Sequence, residues 1–158
     1  MYCRACALLA AALLLGGCHG SKRPGPKPQP KLSYRALDAQ QQRLVADYQP
    51  VSRALTRYEL AYRDRRDLAA ETRSFRPVVT RALARLRRDR ATGGTASAKE
   101  LLVTALEARL RALAAPPESE RYRRAWNRSV VAARRALTLM QDIRDRARLI
   151  PLPEDAIS

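Results

Sequence analysis

Residues 118–148 read ESERYRRAWNRSVVAARRALTLMQDIRDRAR. Apolar side chains recur at Tyr122, Trp126, Val130, Ala133, Leu137, Met140 and Ala147, in steps of three, four or seven. Such steps return to one face of a helix, whereas a half-buried strand needs steps of two. Glu118 and Glu120 fall in the first turn and Arg144, Arg146 and Arg148 in the last turns, the ends that a helix macrodipole favours for those charges. Pro116 and Pro117 precede the run, and Pro151 and Pro153 close it. A long amphipathic helix starting near Glu118 is therefore predicted.

The chain upstream repeats the pattern. Leu102, Leu106, Leu110 and Leu113 share a helical face, ended by Ala114-Ala115-Pro116-Pro117. Ser97 and Glu100 have capping-box spacing, which places the N-cap of that helix at Ser97. Ala91-Thr92-Gly93-Gly94 reads as a stop for the helix before it. Leu68, Thr72, Phe75, Val79, Leu83 and Leu86 form a further stripe, which Pro77 should kink or divide. Tyr34, Leu37, Gln41, Leu44 and Tyr48 form the first stripe; Pro50 interrupts it, and Val51, Leu55, Tyr58 and Tyr62 resume its phase. No alternating run of β-branched residues argues for strands. The expectation is an all-α domain over residues 33–150, a three- to four-helix antiparallel bundle with long helices packed near +20°. Many stripe positions are Ala, so the core looks thin; protruding helices or an oligomer would relieve the shortage. Tyr34, Tyr48, Tyr58, Tyr62, Phe75, Tyr122 and Trp126 read as core, a platform for stacking bases or sugars being the alternative.

Composition bounds the rest. A length of 158 residues suits one domain, and a hydrophobic fraction of 46% argues against wholesale disorder. Three Cys and one His exclude a zinc cage. Met1 to Arg4 forms a short basic stretch, and Ala5 to Leu15 is an unbroken apolar run of eleven residues. At about 1.5 Å per residue that run spans roughly 16 Å, too little for a bilayer core of about 30 Å and right for an export signal. Leu15-Gly16-Gly17-Cys18 follows directly.

Those four residues resemble the lipobox of bacterial lipoproteins, and the resemblance covers only the first eighteen residues. It implies a signal peptide over 1–17, cleavage between Gly17 and Cys18, a diacylglyceryl thioether on the Cys18 sulfur and N-acylation of Cys18. Cys3 and Cys6 would leave with the signal, so no free thiol or disulfide is expected in the mature chain. His19 rather than Asp follows the Cys, which in the family implies the outer membrane, facing the periplasm. Residues 18–32 then form a disordered Pro-rich tether, with Pro24, Pro26, Pro28 and Pro30 alternating. Its fourteen residues after Cys18 reach roughly 43 Å as polyproline II. They read as a spacer, a Pro-rich ligand or a basic strip on anionic lipid being the sharper alternatives. Residues 151–158 read as a C-terminal tail.

Charge is the remaining signal. Lys plus Arg is 31 and Asp plus Glu is 15, a net charge of +16. Residues 33–149 hold 26 bases and 13 acids, hence +13, and 25 of those bases are Arg. Acids four residues before a base, Glu59–Arg63, Glu107–Arg111, Glu120–Arg124 and Asp142–Arg146, suit intrahelical pairs. The surplus concentrates at Arg81, Arg85 and Arg88, and at Arg121, Arg124, Arg128 and Arg135, each set on one predicted helix face. Arginine's planar fork matches phosphate and carboxylate, so both are candidate anion-binding clusters. Habitual use of Arg as a solvating residue explains the same clusters without function.

No P-loop, dinucleotide fingerprint, HExxH or GxSxG motif occurs, and the helical body has neither His nor Cys. No catalytic residue, metal site, cofactor or small-molecule substrate is expected, the covalent lipid on Cys18 aside. The expected protein is a non-enzymatic helical scaffold, adaptor or assembly partner of the cell envelope, held to the membrane by its lipid anchor. Its partner would be an envelope protein, or alternatively an anionic polymer such as lipopolysaccharide, wall polymer or DNA. A carboxylate-dependent wall hydrolase is the more distant alternative.

Overall fold

The computed structural model describes residues 33–64 and 67–152. The expected signal peptide, Cys18, the tether and most of the expected tail lie outside the described residues. Four helices follow one another: α1 (Tyr34–Arg63), α2 (Leu68–Arg88), α3 (Gly93–Leu113) and α4 (Glu120–Arg146). Successive helices pack antiparallel, so the fold is the all-α bundle the periodicity predicts. Among the described residues, no helix is long and apolar enough to cross a membrane.

Side chains cap three of the four helix starts. Ser33 Oγ accepts the Ala36 N–H at 3.2 Å, Asp67 Oδ1 that of Ala70 at 3.0 Å, and Ser119 Oγ that of Tyr122 at 3.1 Å. The start of α3 corrects the sequence reading. It begins at Gly93 with Thr92 as N-cap, a turn before Ser97. Thr92 makes no side-chain cap bond; Gln40 of α1 instead holds Thr92 itself, accepting from its N–H at 3.4 Å while the Gln40 amide donates to Thr92 Oγ1 at 3.5 Å. Gly93 takes a φ of +57°, which only glycine adopts freely. A Cβ on Gly94 would stand 2.7 Å from Ile143 Cδ1 of α4. The glycines read as a stop therefore open the next helix close against α4.

Both internal prolines leave their helices continuous. Pro50 lies within α1 and Pro77 within α2. A proline inside a helix costs about 3 kcal/mol. Both rings face solvent, where water can satisfy a freed carbonyl. Tyr48 and Val51 beside Pro50, and Phe75 and Val79 beside Pro77, are buried and hold the helix on the core at each site.

The alanines that made the core look thin form its tightest seam. Ala98, Ala105, Ala108 and Ala112 of α3 are wholly buried, and Ala132, Ala133 and Ala136 of α4 are buried too. Small side chains let two backbones approach, and α3 and α4 are the most extensively packed pair. Helix α3 touches all three other helices. Helix α4 is rotated slightly from the predicted stripe. Ser129 and Ala136 occupy its buried centre, with Val130 and Leu137 at the flank. After α4 the chain turns back and tucks Leu152 into the core, so the start of the expected tail belongs to the domain.

Candidate functional site

The arginines gather in two furrows. Arg53 and Arg57 lie one turn apart on α1, Arg81 and Arg85 one turn apart on α2, and the four line one furrow of about 380 Å³. Pro50, Val78 and Ala82 also line it, with Asp47. A second furrow, of about 370 Å³, is lined by Arg111 of α3 and Arg121, Arg124 and Arg128 of α4, with Glu120. Arg81 and Arg85 of the first predicted cluster thus share a furrow, and so do Arg121, Arg124 and Arg128 of the second. Arg88 and Arg135 are exposed and line neither. Arg53, Arg57 and Arg111 were missing from the prediction. Arg53 and Arg57 carry the same four-residue spacing, but only the pairing of helices shows which rows face each other.

Acids are distributed differently from the helical pairs expected. Glu120 does pair with Arg124. Glu107 pairs with Arg87 of α2 at 2.8 Å instead of Arg111, and Arg63 meets its neighbour Asp64 at 3.6 Å instead of Glu59. No ion pair within 4.0 Å joins Asp142 to Arg146. A partner on a facing helix or next in the chain competes with one at four residues' distance, because exposed pairs differ by only tenths of a kcal/mol. At the end of the first furrow, burial and then the neighbouring Asp89 push the Asp47 carboxyl above its ordinary range; Arg85 and Arg88 pull it the other way.

Two arginines behave unlike the rest. Arg144, read as a charge that suits the end of its helix, is only 4% exposed. Its Nη1 donates to Asp38 Oδ1 at 2.6 Å and to Gln41 Oε1 at 3.3 Å, and its Nε donates to the Ile150 carbonyl. Gln141 completes the clamp, donating to the Leu152 carbonyl at 2.8 Å and accepting its N–H at 3.2 Å. Arg109 is 1% exposed, with Nε donating to Ser129 Oγ at 2.9 Å and its guanidinium carbon 4.0 Å from the Trp126 ring centroid. Its Nη1 and the nearby Tyr48 hydroxyl make no hydrogen bond of good geometry. Burial pulls the Arg109 guanidinium down and pushes the Tyr48 hydroxyl up. A signal for both existed. Arg109 falls between Leu106 and Leu113, and Arg144 four residues after Met140, each in phase with its apolar stripe.

The aromatic side chains mostly pack on one another. Ring centroids lie 5.3 Å apart for Tyr58 and Phe75, 5.5 Å for Tyr58 and Trp126, 5.4 Å for Tyr122 and Trp126, and 6.3 Å for Tyr62 and Tyr122. Tyr48, Tyr58, Phe75 and Tyr122 are buried, as core residues should be. Tyr34 and Tyr62 are exposed and correct that reading. Comparison with family models, with curated proteins and with solved structures finds no match for the chain.

Proposed function

We propose that the chain is a lipid-anchored, non-enzymatic helical lipoprotein of the bacterial cell envelope, carried on Cys18 and acting as a scaffold, adaptor or assembly partner. The observation that carries this reading is the ordered sequence of basic start, apolar run and Leu15-Gly16-Gly17-Cys18. Two or more acyl chains on Cys18 make anchoring stable, at about 0.8 kcal/mol for each buried methylene. The outer membrane, facing the periplasm, is the proposed location, and the tether sets the bundle's distance from it. Replacing Cys18 with Ser should leave an unprocessed precursor that incorporates no labelled fatty acid. Unchanged membrane partition and labelling would overturn the anchor.

The arginine furrows favour a second reading of the partner, an anionic polymer or surface of the envelope. Rows of guanidinium groups on neighbouring helices form clefts of net positive charge, four arginines against one acid in each, and such clefts focus an attractive field on anions. Ionic strength separates the two. Binding to a polyanion falls steeply with salt as counterions are released, whereas binding through an apolar protein interface does not.

A further inference from the structure

We propose that the furrow between α1 and α2 is a binding site for phosphate groups, held by Arg53 and Arg57 on one wall and by Arg81 and Arg85 on the other. The proposal rests on the anionic reading of the partner and names its chemistry and place.

Three observations carry it. All four arginines are exposed, and among the described residues none of their guanidinium groups forms an ion pair or hydrogen bond. Four like charges on one furrow repel one another, and an anion between them removes that repulsion. The arginines also come two from each helix, in antiparallel rows, so forks from opposite walls can converge on one tetrahedral anion. In the α3–α4 furrow, three of the four arginines stand on a single helix and Arg124 is already occupied by Glu120. Finally, Pro50, Val78 and Ala82 in the furrow carry no charge and do not compete for the guanidinium groups. The acid there, Asp47, lies against Asp89 and forms no ion pair within 4.0 Å with any arginine. A volume of about 380 Å³ admits a phosphate ester with part of the group that bears it.

The source of the phosphate can be a lipid headgroup or a free ion, and the experiment separates them. The full-length lipidated chain in phosphatidylcholine nanodiscs is titrated with inorganic phosphate. In parallel it is assayed against vesicles of phosphatidylcholine with and without phosphatidylglycerol, and against polyglutamate. Changing Arg53 and Arg81 together to Gln should weaken phosphate-dependent binding about tenfold or more, as expected for losing charge-assisted hydrogen bonds from both walls. Changing Arg121 and Arg128 to Gln, an equal loss of charge, should weaken it by less than about threefold. The double change of Arg53 and Arg81 to Lys keeps the charge and should still weaken binding severalfold, because an ammonium cannot form the bidentate fork. Asp47→Asn should tighten it. Circular dichroism of each variant checks that the helices persist.

Saturable binding of inorganic phosphate with this variant order supports a site for the free ion. The same order confined to phosphatidylglycerol vesicles supports a lipid headgroup. Equal weakening by the two Gln pairs overturns the site while leaving the wider anionic reading intact. Tighter binding of polyglutamate than of either phosphate source overturns it in favour of an acidic protein. Absence of binding in every arm overturns both the site and the anionic reading.

Discussion

Arg148 takes a φ of +52° just beyond α4. The Leu149 N–H reaches the Arg144 carbonyl at 2.9 Å and the Arg148 N–H reaches that of Asp145 at 3.1 Å, the paired bonds of a Schellman motif. Glycine is the usual residue there, because a side chain in the left-handed region costs about 1–2 kcal/mol. Arg148→Gly should therefore raise stability by about 1 kcal/mol, read as an upward shift in the urea midpoint at unchanged slope. Arg109 poses the opposite question. It is a cation in the core that donates to the Ser129 hydroxyl and lies over the face of Trp126, with the Tyr48 hydroxyl and Glu59 also favouring its charge but, among the described residues, no carboxylate in an ion pair with it. Replacing buried ionic groups with apolar ones of like volume is often stabilising by about 1–4 kcal/mol. Arg109→Met is expected to raise the midpoint, while Arg109→Ala, which leaves a cavity, should lower the midpoint through a loss of about 2–3 kcal/mol of stability. A fall with both would show that the guanidinium holds the seam together.

At the scale of elements, the least regular piece is the return strap after α4. Leu152 is buried, yet it hangs from the bundle by a few polar bonds to Arg144 and Gln141. Arg144 also crosses to Asp38 and Gln41 of α1, so one side chain ties strap, α4 and α1. Leu152→Ala should cost about 2–3 kcal/mol, near the low end for a truncated core leucine because a strap outside the helices can settle into the space left. Amide exchange should accelerate first in residues 149–152; uniform acceleration across all four helices would show instead that the strap and bundle open as one unit. The strap itself was not legible in the sequence, where Pro151 simply ends a stripe; of its anchors only Arg144 gave a signal, by lying in phase with the stripe of α4. The helical stripes were legible, and so was the start of α4 to within two residues. The start of α3 was not, since Ser97 has good local capping chemistry yet the helix already runs from Gly93. The two prolines divide neither helix for a related reason. Their local cost is real, but buried neighbours on either side outweigh it.

For the molecule as a whole, the fold brings eight of the arginines together in two furrows between helices, while others, Arg88 and Arg135 among them, stay exposed outside these furrows. Half of the candidate anion site could be read beforehand, as Arg81 and Arg85 or as Arg121, Arg124 and Arg128. The opposing wall could not. A step of three or four residues belongs to a single helix, and it dictates which side chains share a face whatever lies nearby. The sequence alone therefore determined that the body is helical, where its apolar faces run and that arginine exceeds its acids. Only the tertiary structure decided that Arg109 and Arg144 are interior, that Glu107 serves Arg87, and that Arg53 and Arg57 stand across from Arg81 and Arg85. Those outcomes depend on which helix comes to lie opposite, and that is set by how whole apolar faces pack together, which the spacing within one helix does not encode.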